Sequence, residues 1–277
     1  MNERLFATLA ARLHAAPVVM ASVIDARGAT PRSTGSRMLI GTAFTAFSVG
    51  GGMAEARVIK VARTLLHSYQ EKAEIEIDLS GRQGADGICG GAMVVRLKRF
   101  MPHEQALVEA QAQALARGAR ARLDGEPFEP NERLLIIGAG HCGSALAELA
   151  RPLDFEIRFF DDEPGRLHAW AHDAPPEKIA SLDAAFSTER EVYVVLLNRD
   201  FAADILALRA LKEHCPSFIG MMGSRKRIQA VSMALNDSPD LLARLVAPVG
   251  LDIQAETPHE IAISILAQLI QRRRACR

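Results

Sequence analysis

A charge excess is the first thing this sequence lacks. Its 33 Lys and Arg match 33 Asp and Glu, so the formal net charge is zero. A nucleic-acid binder shows a basic face, and long-range steering toward acidic partners needs a net field; no nucleic-acid partner is expected. Cysteine is scarce as well. Cys89, Cys142, Cys215 and Cys276 stand far apart without a C-x-x-C pair, which excludes a disulfide scaffold and a zinc ribbon and suits a reducing compartment. No apolar run approaches the roughly 18 residues of a membrane span; the longest, residues 261–270, is interrupted by Ser264 and Gln268. Arg12 and His14 stand where a secretory leader would need its apolar core. The expectation is a cytoplasmic protein with no membrane partner.

What is present is an apolar fraction of 49%, enough for ordinary cores. At roughly 150 residues per domain, 277 residues predict two. The seam is residues 118–132, GARARLDGEPFEPNE, rich in glycine, proline and acids and poor in apolar residues. This predicts a domain over 1–117, a linker over 118–130 and a second domain over 131–277.

In the first domain, strands are expected at 18–24, 38–40, 75–79 and 92–97. Helices are expected at 53–67, with Ala54, Val58, Val61, Ala62 and Leu65 on one face, and at 102–117. Glycine crowds every joint: Gly28, Gly35, Gly41, Gly50-Gly51-Gly52, Gly81, Gly84, Gly87 and Gly90-Gly91. That density costs backbone entropy and serves left-handed turns or close approach of a ligand to the backbone; tight turns account for about half of the positions. In the second domain, strands at 133–137, 156–160, 192–197, 217–219 and 245–247 alternate with helices, the last over 258–274. Such alternation predicts a parallel sheet covered on both faces. The fold class is therefore α/β, a small N-terminal mixed α/β domain followed by a Rossmann-like doubly wound parallel sheet.

Several constellations could carry chemistry. The strand at 133–137 runs into Gly138-Ala139-Gly140-His141-Cys142-Gly143 and then a helix, with Asp161 ending a second strand about twenty residues on. In this dinucleotide fingerprint the first glycine permits the turn and the second admits a pyrophosphate. The third lets helix pack on strand, and the acid accepts from ribose hydroxyls. Asp162 beside it disfavours a 2′-phosphate. The same turn also serves packing alone, and His141 and Cys142 either fill the loop or place a thiol of lowered pKa at the helix start. A second strand–turn–helix joint carries Gly223, the N-cap Ser224, and then Arg225, Lys226 and Arg227. Three cations oppose the positive helix start, so they either meet an anion or a partner carboxylate, or are a solvated face. Thr257-Pro258-His259-Glu260 is a structural capping box. Arg272 to Arg274 suit the negative end of the last helix.

In the first domain, Gly50, Gly51 and Gly52 lead to a helix start with Glu55 in its first turn. This forms either a cradle for a phosphate or heterocycle, with Glu55 accepting from ring N–H groups, or a tight turn with a dipole-favoured acid. Cys89, flanked by Gly87, Gly90 and Gly91, is either a small buried side chain or an exposed thiol poised for a soft ligand.

With these residues the chain resembles the XdhC family, the accessory proteins of xanthine dehydrogenase and related molybdenum hydroxylases. The likeness is carried by Gly28-Ala29-Thr30-Pro31-Arg32, Gly35 to Leu39, Gly50 to Gly52 with Glu55, and Cys89-Gly90-Gly91. It continues in Gly138 to Gly143, Phe160-Asp161-Asp162, Phe218 to Arg227, and the stretch from Pro248 to Ile265. The resemblance implies an accessory protein without turnover of its own. Such a protein binds molybdenum cofactor (molybdopterin carrying molybdenum), protects it during sulfuration and delivers it to an apo-hydroxylase. The implied partners are that hydroxylase and a cysteine desulfurase; separately, a homodimer is expected. Arg32, Gly50 to Gly52, Glu55, Cys89, Gly90, Gly138, Gly140, Gly143, Asp161, Gly223, Ser224 and Arg225 are the implied cofactor contacts, with Cys89 toward the metal; a nucleotide in the Rossmann-like domain is a further candidate ligand. Three positions depart from the family pattern: Met53 stands where some relatives carry a cysteine, Phe201 stands near the place of a histidine that many carry before Asp204, and Glu163 stands where an arginine often follows the acid pair.

The rival reading is an NAD-dependent oxidoreductase, favoured by the fingerprint and Asp161. Against it, no Lys–Glu, Tyr–Lys or His–Asp proton-relay set is evident near the expected strand ends. A purely protein-binding module on a vestigial Rossmann domain is the third.

Overall fold

The computed structural model describes residues 1–161, 177–179, 181–198 and 200–275. They form two compact units. One comprises residues 2–116 and 121–128; the other comprises residue 1, residues 117–120 and the chain from 129 onward.

The N-terminal unit is a five-stranded antiparallel sheet in the order β3-β2-β1-β5-β4. Its strands are β1 (Val18–Arg27), β2 (Arg37–Ile40), β3 (Thr45–Phe47), β4 (Lys72–Asp78) and β5 (Ala92–Phe100). The run Val18 to Val23 is buried throughout because helices cover both faces. The two-residue period of a strand divides it. Val19, Ala21 and Val23 join Ala54, Val58, Ala62 and Leu65 of α2 (Gly52–Leu66) in one core. Val18 and Met20 join Leu5, Phe6, Leu9 and Leu13 of α1 (Asn2–Leu13) and Val108 and Leu115 of α3 (Gln105–Ala116) in the other.

Helix α1 went unread in the sequence. Its buried residues recur on one stripe of the helix, a signal as good as that of α2. The expected linker also differs from what is found. Within 118–130 the chain makes a hairpin, β6 (Ala121–Leu123) and β7 (Glu126–Phe128). Glu126 bridges Arg37 and Arg96, Lys72 pairs with Asp124, and Phe6 packs edge-on to Phe128. The acids that mark a solvated linker in sequence are here paired with the sheet's own cations.

The C-terminal unit is a six-stranded parallel sheet, β10-β9-β8-β11-β12-β13. The strands are β8 (Arg133–Ile137), β9 (Glu156–Phe160), β10 (Glu177–Lys178), β11 (Val192–Leu196), β12 (Phe218–Met221) and β13 (Leu245–Val246). Counted from β8 this is the order 3-2-1-4-5-6 of the doubly wound dinucleotide fold. Strand residues again alternate between two cores. Leu134, Ile136, Tyr193 and Val195 face α4 (His141–Ala150) and α9 (Pro258–Ala275). Leu135, Ile137, Val194 and Leu196 face the opposite layer, with α5 (Leu182–Phe186), α6 (Phe201–Ala210), α7 (Arg225–Ala234) and α8 (Pro239–Arg244).

The predicted capping box opens α9: Glu260 Oε2 accepts from the Glu256 and Thr257 N–H groups at 2.9 Å each. These bonds hold the Glu260 carboxyl below its ordinary value. The helix expected directly after β9, Asp162, Glu163 and Cys276 lie outside the described residues.

Candidate functional site

Antiparallel pairing determines what meets at one edge of the N-terminal sheet. Arg27 at the end of β1 pairs with Ala92 at the start of β5, which also pairs with Asp78 at the end of β4. The connections over 28–36 and 79–91 and the lead into α2 over 48–51 therefore all leave from the same edge. They pack closely. A Cβ on Gly28, whose φ is 68°, would lie 3.1 Å from both the Gly90 carbonyl oxygen and the Gly91 Cα. One on Gly91 would collide with the Arg27 and Ala29 carbonyls, and one on Gly50 would lie 2.8 Å from Pro31 Cγ. These glycines are required by the meeting of the three connections.

Other glycines of the same edge face outward. Gly51, Gly52 and Gly90 have φ of 88°, 62° and 91°, and a Cβ on any of them would meet nothing within 4 Å. The edge thus presents open glycine backbone, the first turn of α2 and the exposed Cys89 thiol. Arg32 is exposed on the loop that carries Pro31. Exposure overturns the alternative in which Cys89 is a small core residue. Ile88 and Met53 flank the edge at 88% and 63% exposure.

Glu55 plays a narrower part than a free ligand contact. Its Oε2 accepts from the Ser48 hydroxyl at 2.6 Å and the Gly51 N–H at 3.2 Å, so the acid caps its own loop. That leaves Oε1 for a ligand. The loop holding Cys89 is anchored from behind: Asp86 pairs with Arg57 of α2 and accepts from the Asp78 N–H at 3.1 Å.

Chemically, this edge offers amide donors at a helix start, which suit a phosphate, a guanidinium for a second anionic oxygen, and one soft sulfur donor. Among the described residues no cluster of three or more His, Cys, Asp or Glu could enclose a bare metal ion. The donor set fits a metal that arrives already held by an organic chelate.

In the C-terminal unit, the three glycines of the turn divide their labour. Gly138, at φ 111°, packs against the end of β11, and a Cβ there would lie 2.8 Å from the Leu197 carbonyl carbon and Asn198 Oδ1. A Cβ on Gly143 would collide with the Gly138 carbonyl, so this glycine serves packing. Gly140 has an ordinary φ of −70° and open space around it. Asp161 is buried, and its Oδ2 accepts from the Ala139 N–H at 2.6 Å. The acid expected to meet a ribose therefore also fixes the turn that would hold the pyrophosphate.

Gly223, Ser224 and Arg225 open α7 after β12, two strands from β8. Ser224 caps the helix as expected, accepting from the Arg227 N–H at 3.3 Å. The cations divide. Arg225 and Lys226 are exposed, whereas Arg227 turns inward and donates through Nε to Asp204 Oδ2 at 3.0 Å and through Nη2 to the Asp200 carbonyl at 2.9 Å. The carboxylate that Arg227 meets is thus Asp204 of its own chain, while Arg225 and Lys226 stay exposed at the helix start. A Cβ on Gly223 would lie 3.2 Å from Arg227 Cδ, which explains that glycine as room for the arginine stem.

Asp204 is fully buried. Burial pushes its carboxyl upward from the ordinary value, against the pull of Arg227 and Asn198. The signal in the sequence was a lone acid inside the apolar helix run FAADILALRA. A similar pairing braces the base of β8, where Arg133 holds Glu156 through two bonds of 2.6 and 3.1 Å. Burial raises the Glu156 carboxyl, but Arg133 and Arg158 outweigh it and hold the group below its ordinary value.

With this geometry in hand, comparisons with known proteins are specific. The sequence profile described as the XdhC Rossmann domain matches residues 134–269, and that described as the XdhC and CoxI family matches residues 11–76. The uncharacterized protein YqeB of Escherichia coli K12 is 30% identical over 92% of this chain and 43% of its own length. The molybdenum cofactor insertion chaperone PaoD of the same organism is 25% identical over 91% of this chain and 82% of its own length. The chain therefore spans less than half the length of the first of these relatives. A crystal structure of a xanthine dehydrogenase from Bacillus halodurans superposes with a TM-score of 0.81 at 25% identity, covering 100% of this chain and 96% of the other.

Proposed function

The chain belongs to the XdhC family, and from that premise we propose that it is an accessory protein for a molybdenum hydroxylase. It binds molybdenum cofactor, shields it while a cysteine desulfurase exchanges oxygen for sulfur at the metal, and delivers it to apo xanthine dehydrogenase or a related enzyme. It performs no turnover of its own, works in the cytoplasm, and does so as a homodimer. PaoD, named for cofactor insertion, supports the class of function.

One observation carries the reading: three connections converge on one sheet edge, where open glycine backbone surrounds an exposed thiol. The cofactor brings a terminal phosphate, pterin N–H donors and a chelated molybdenum. The α2 start at Gly52, together with Arg32, holds the phosphate by amide donation and charge. Glu55 Oε1 accepts from ring N–H groups, and Cys89 lies toward the metal, as suits a soft ligand. Gly90 lets a planar ring approach the backbone without a side chain in the way. The Rossmann turn of the C-terminal unit is compatible with a nucleotide, separately from this edge.

The test is reconstitution. Purified protein loaded with cofactor is added to apo-hydroxylase, and hydroxylase activity is followed. Activity restored faster than by an equal amount of free cofactor supports the proposal; restoration at the free-cofactor rate refutes it.

A further inference from the structure

Cys89 is carried on an arm that overhangs the N-terminal sheet. The β4–β5 ladder ends at the pair Asp78 and Ala92, yet pairing continues past that edge. The Leu79 N–H donates to the Gly91 carbonyl at 2.9 Å, the Gly90 N–H to the Leu79 carbonyl at 2.7 Å, and the Gly81 N–H to the Gly87 carbonyl at 2.9 Å. Residues 79–91 thus form an irregular hairpin with Cys89 on its returning side. Glycine at 81, 84, 87, 90 and 91 leaves the arm few side chains with which to pack.

Asp86 supplies a brace. Its N–H donates to the Asp78 carbonyl at 2.6 Å and its Oδ2 accepts from the Asp78 N–H at 3.1 Å, which ties the arm across its own base. The same Oδ2 accepts from Arg57 Nη1. The Asp86 side chain is 12% exposed and that of Arg57 is 46% exposed. Arg57 stands on α2 five residues after Gly52, the first residue of that helix. One carboxylate oxygen therefore links the end of β4, the arm that holds the thiol, and the helix whose first turn offers the amides.

We propose that Asp86 and Arg57 are positioning residues that fix the distance between Cys89 and the amide start of α2. The inference rests on the cofactor reading of this edge, with the metal end toward Cys89 and the phosphate at the helix start. A ligand held at both ends, by a thiol on one element and amides on another, binds tightly when the two contacts stand at its own length before it arrives. Without the brace, binding must also order the arm, and affinity falls by that cost. Both residues act through the arm and not by touching the ligand. A half-exposed ion pair adds little to global stability, so its removal separates positioning from folding.

Release of molybdenum cofactor from the loaded full chain, followed as molybdenum per chain after rapid desalting, tests the proposal. Arg57→Met keeps the side-chain stem and leaves the bonds between Asp86 and Asp78 in place, whereas Asp86→Asn keeps an oxygen for the Asp78 N–H and removes the charge. Each should release cofactor about tenfold faster than wild type, and the double variant no faster than either, because both break one link. Arg57→Lys restores the charge and should hold cofactor as wild type does. So should Glu71→Gln, which removes the Lys98–Glu71 pair at the far end of β4. In cofactor-free protein the alkylation rate of Cys89, read by mass spectrometry of its own peptide, should match wild type in every variant, since the thiol is exposed with or without the brace. Wild-type release from folded Arg57→Met, equally fast release from Arg57→Lys, additive effects in the double variant, or faster release accompanied by altered Cys89 alkylation would each overturn the proposal. A wild type that retains no cofactor refutes the reading of the edge itself, and the positioning role falls with it.

Discussion

Gly91→Ala tests whether the candidate edge depends on the meeting of its three connections. The added methyl would collide with the Arg27 carbonyl and lie 2.5 Å from that of Ala29. Both obstacles are backbone, so neither can rotate away, and the loop over 28–32 must withdraw from the start of β5. Overpacking of this kind costs about 1–3 kcal/mol. For a unit between the small and medium size classes, each kcal/mol moves the melting point by about 3–6 °C. The expected fall is therefore several degrees in the transition of the N-terminal unit. Gly35→Ala is the control: its φ is 87°, but a Cβ there would meet nothing within 4 Å. It bears only the left-handed penalty of about 1–2 kcal/mol. Scanning calorimetry gives the stabilities, and cofactor retention on gel filtration gives the function. Gly91→Ala should lose retention more than Gly35→Ala does at matched temperature below both transitions. Equal retention in the two variants would mean that convergence of the loops is incidental to binding.

Three further outcomes follow from the C-terminal unit and its charges. Asp204→Ala strands Arg227 without its buried partner and should cost about 3–5 kcal/mol by denaturant titration; a cost below about 1 kcal/mol would place the pair effectively in solvent. Because Glu156 is held below its ordinary carboxyl value in the folded state, its contribution is present above the unfolded value, roughly pH 4.3, and is lost as pH falls through the lower folded one. Glu156→Gln should thus be less stable than wild type at neutral pH, with the gap closing in acid, and a gap that is constant with pH would contradict the ion-pair account. Finally, Arg225→Glu with Lys226→Glu should raise the melting point slightly, by the helix-dipole contribution of about 0.3–1 kcal/mol for an exposed charge. Loss of cofactor transfer in that variant would assign these two cations to a ligand or partner, whereas unchanged transfer would leave them as a solvated face.

The fold was legible wherever periodicity was long and its punctuation strong. Strands β8 and β9 and the start of α9 fall on their expected residues because Gly138, the apolar runs and the Thr257–Glu260 capping box mark their ends. Short elements escaped. β3 has three residues, and the hairpin of β6 and β7 lies inside a segment whose composition reads as linker. Its acids mark a solvated segment only until their partners Arg37, Arg96 and Lys72 are placed in space. At the candidate edge, glycine density pointed to the right loops. It could not separate glycines that face a ligand, such as Gly90, from those that face other backbone, such as Gly28 and Gly91, because that distinction depends on which connections meet. The Arg227–Asp204 pair went unread for the same reason: the two residues lie 23 positions apart and are joined only by the packing of α6 with α7.

Whether the N-terminal edge grips molybdenum cofactor with Cys89 at the metal end is decided by molybdenum content per chain after gel filtration of wild type and Cys89→Ser, each purified from cofactor-producing cells. Cys89 is exposed, so serine in its place should leave the melting point unchanged. Stoichiometric molybdenum is expected on the wild type and a marked loss on the folded variant. Wild-type protein free of molybdenum, or a variant that retains as much of it, would refute a cofactor grip through Cys89.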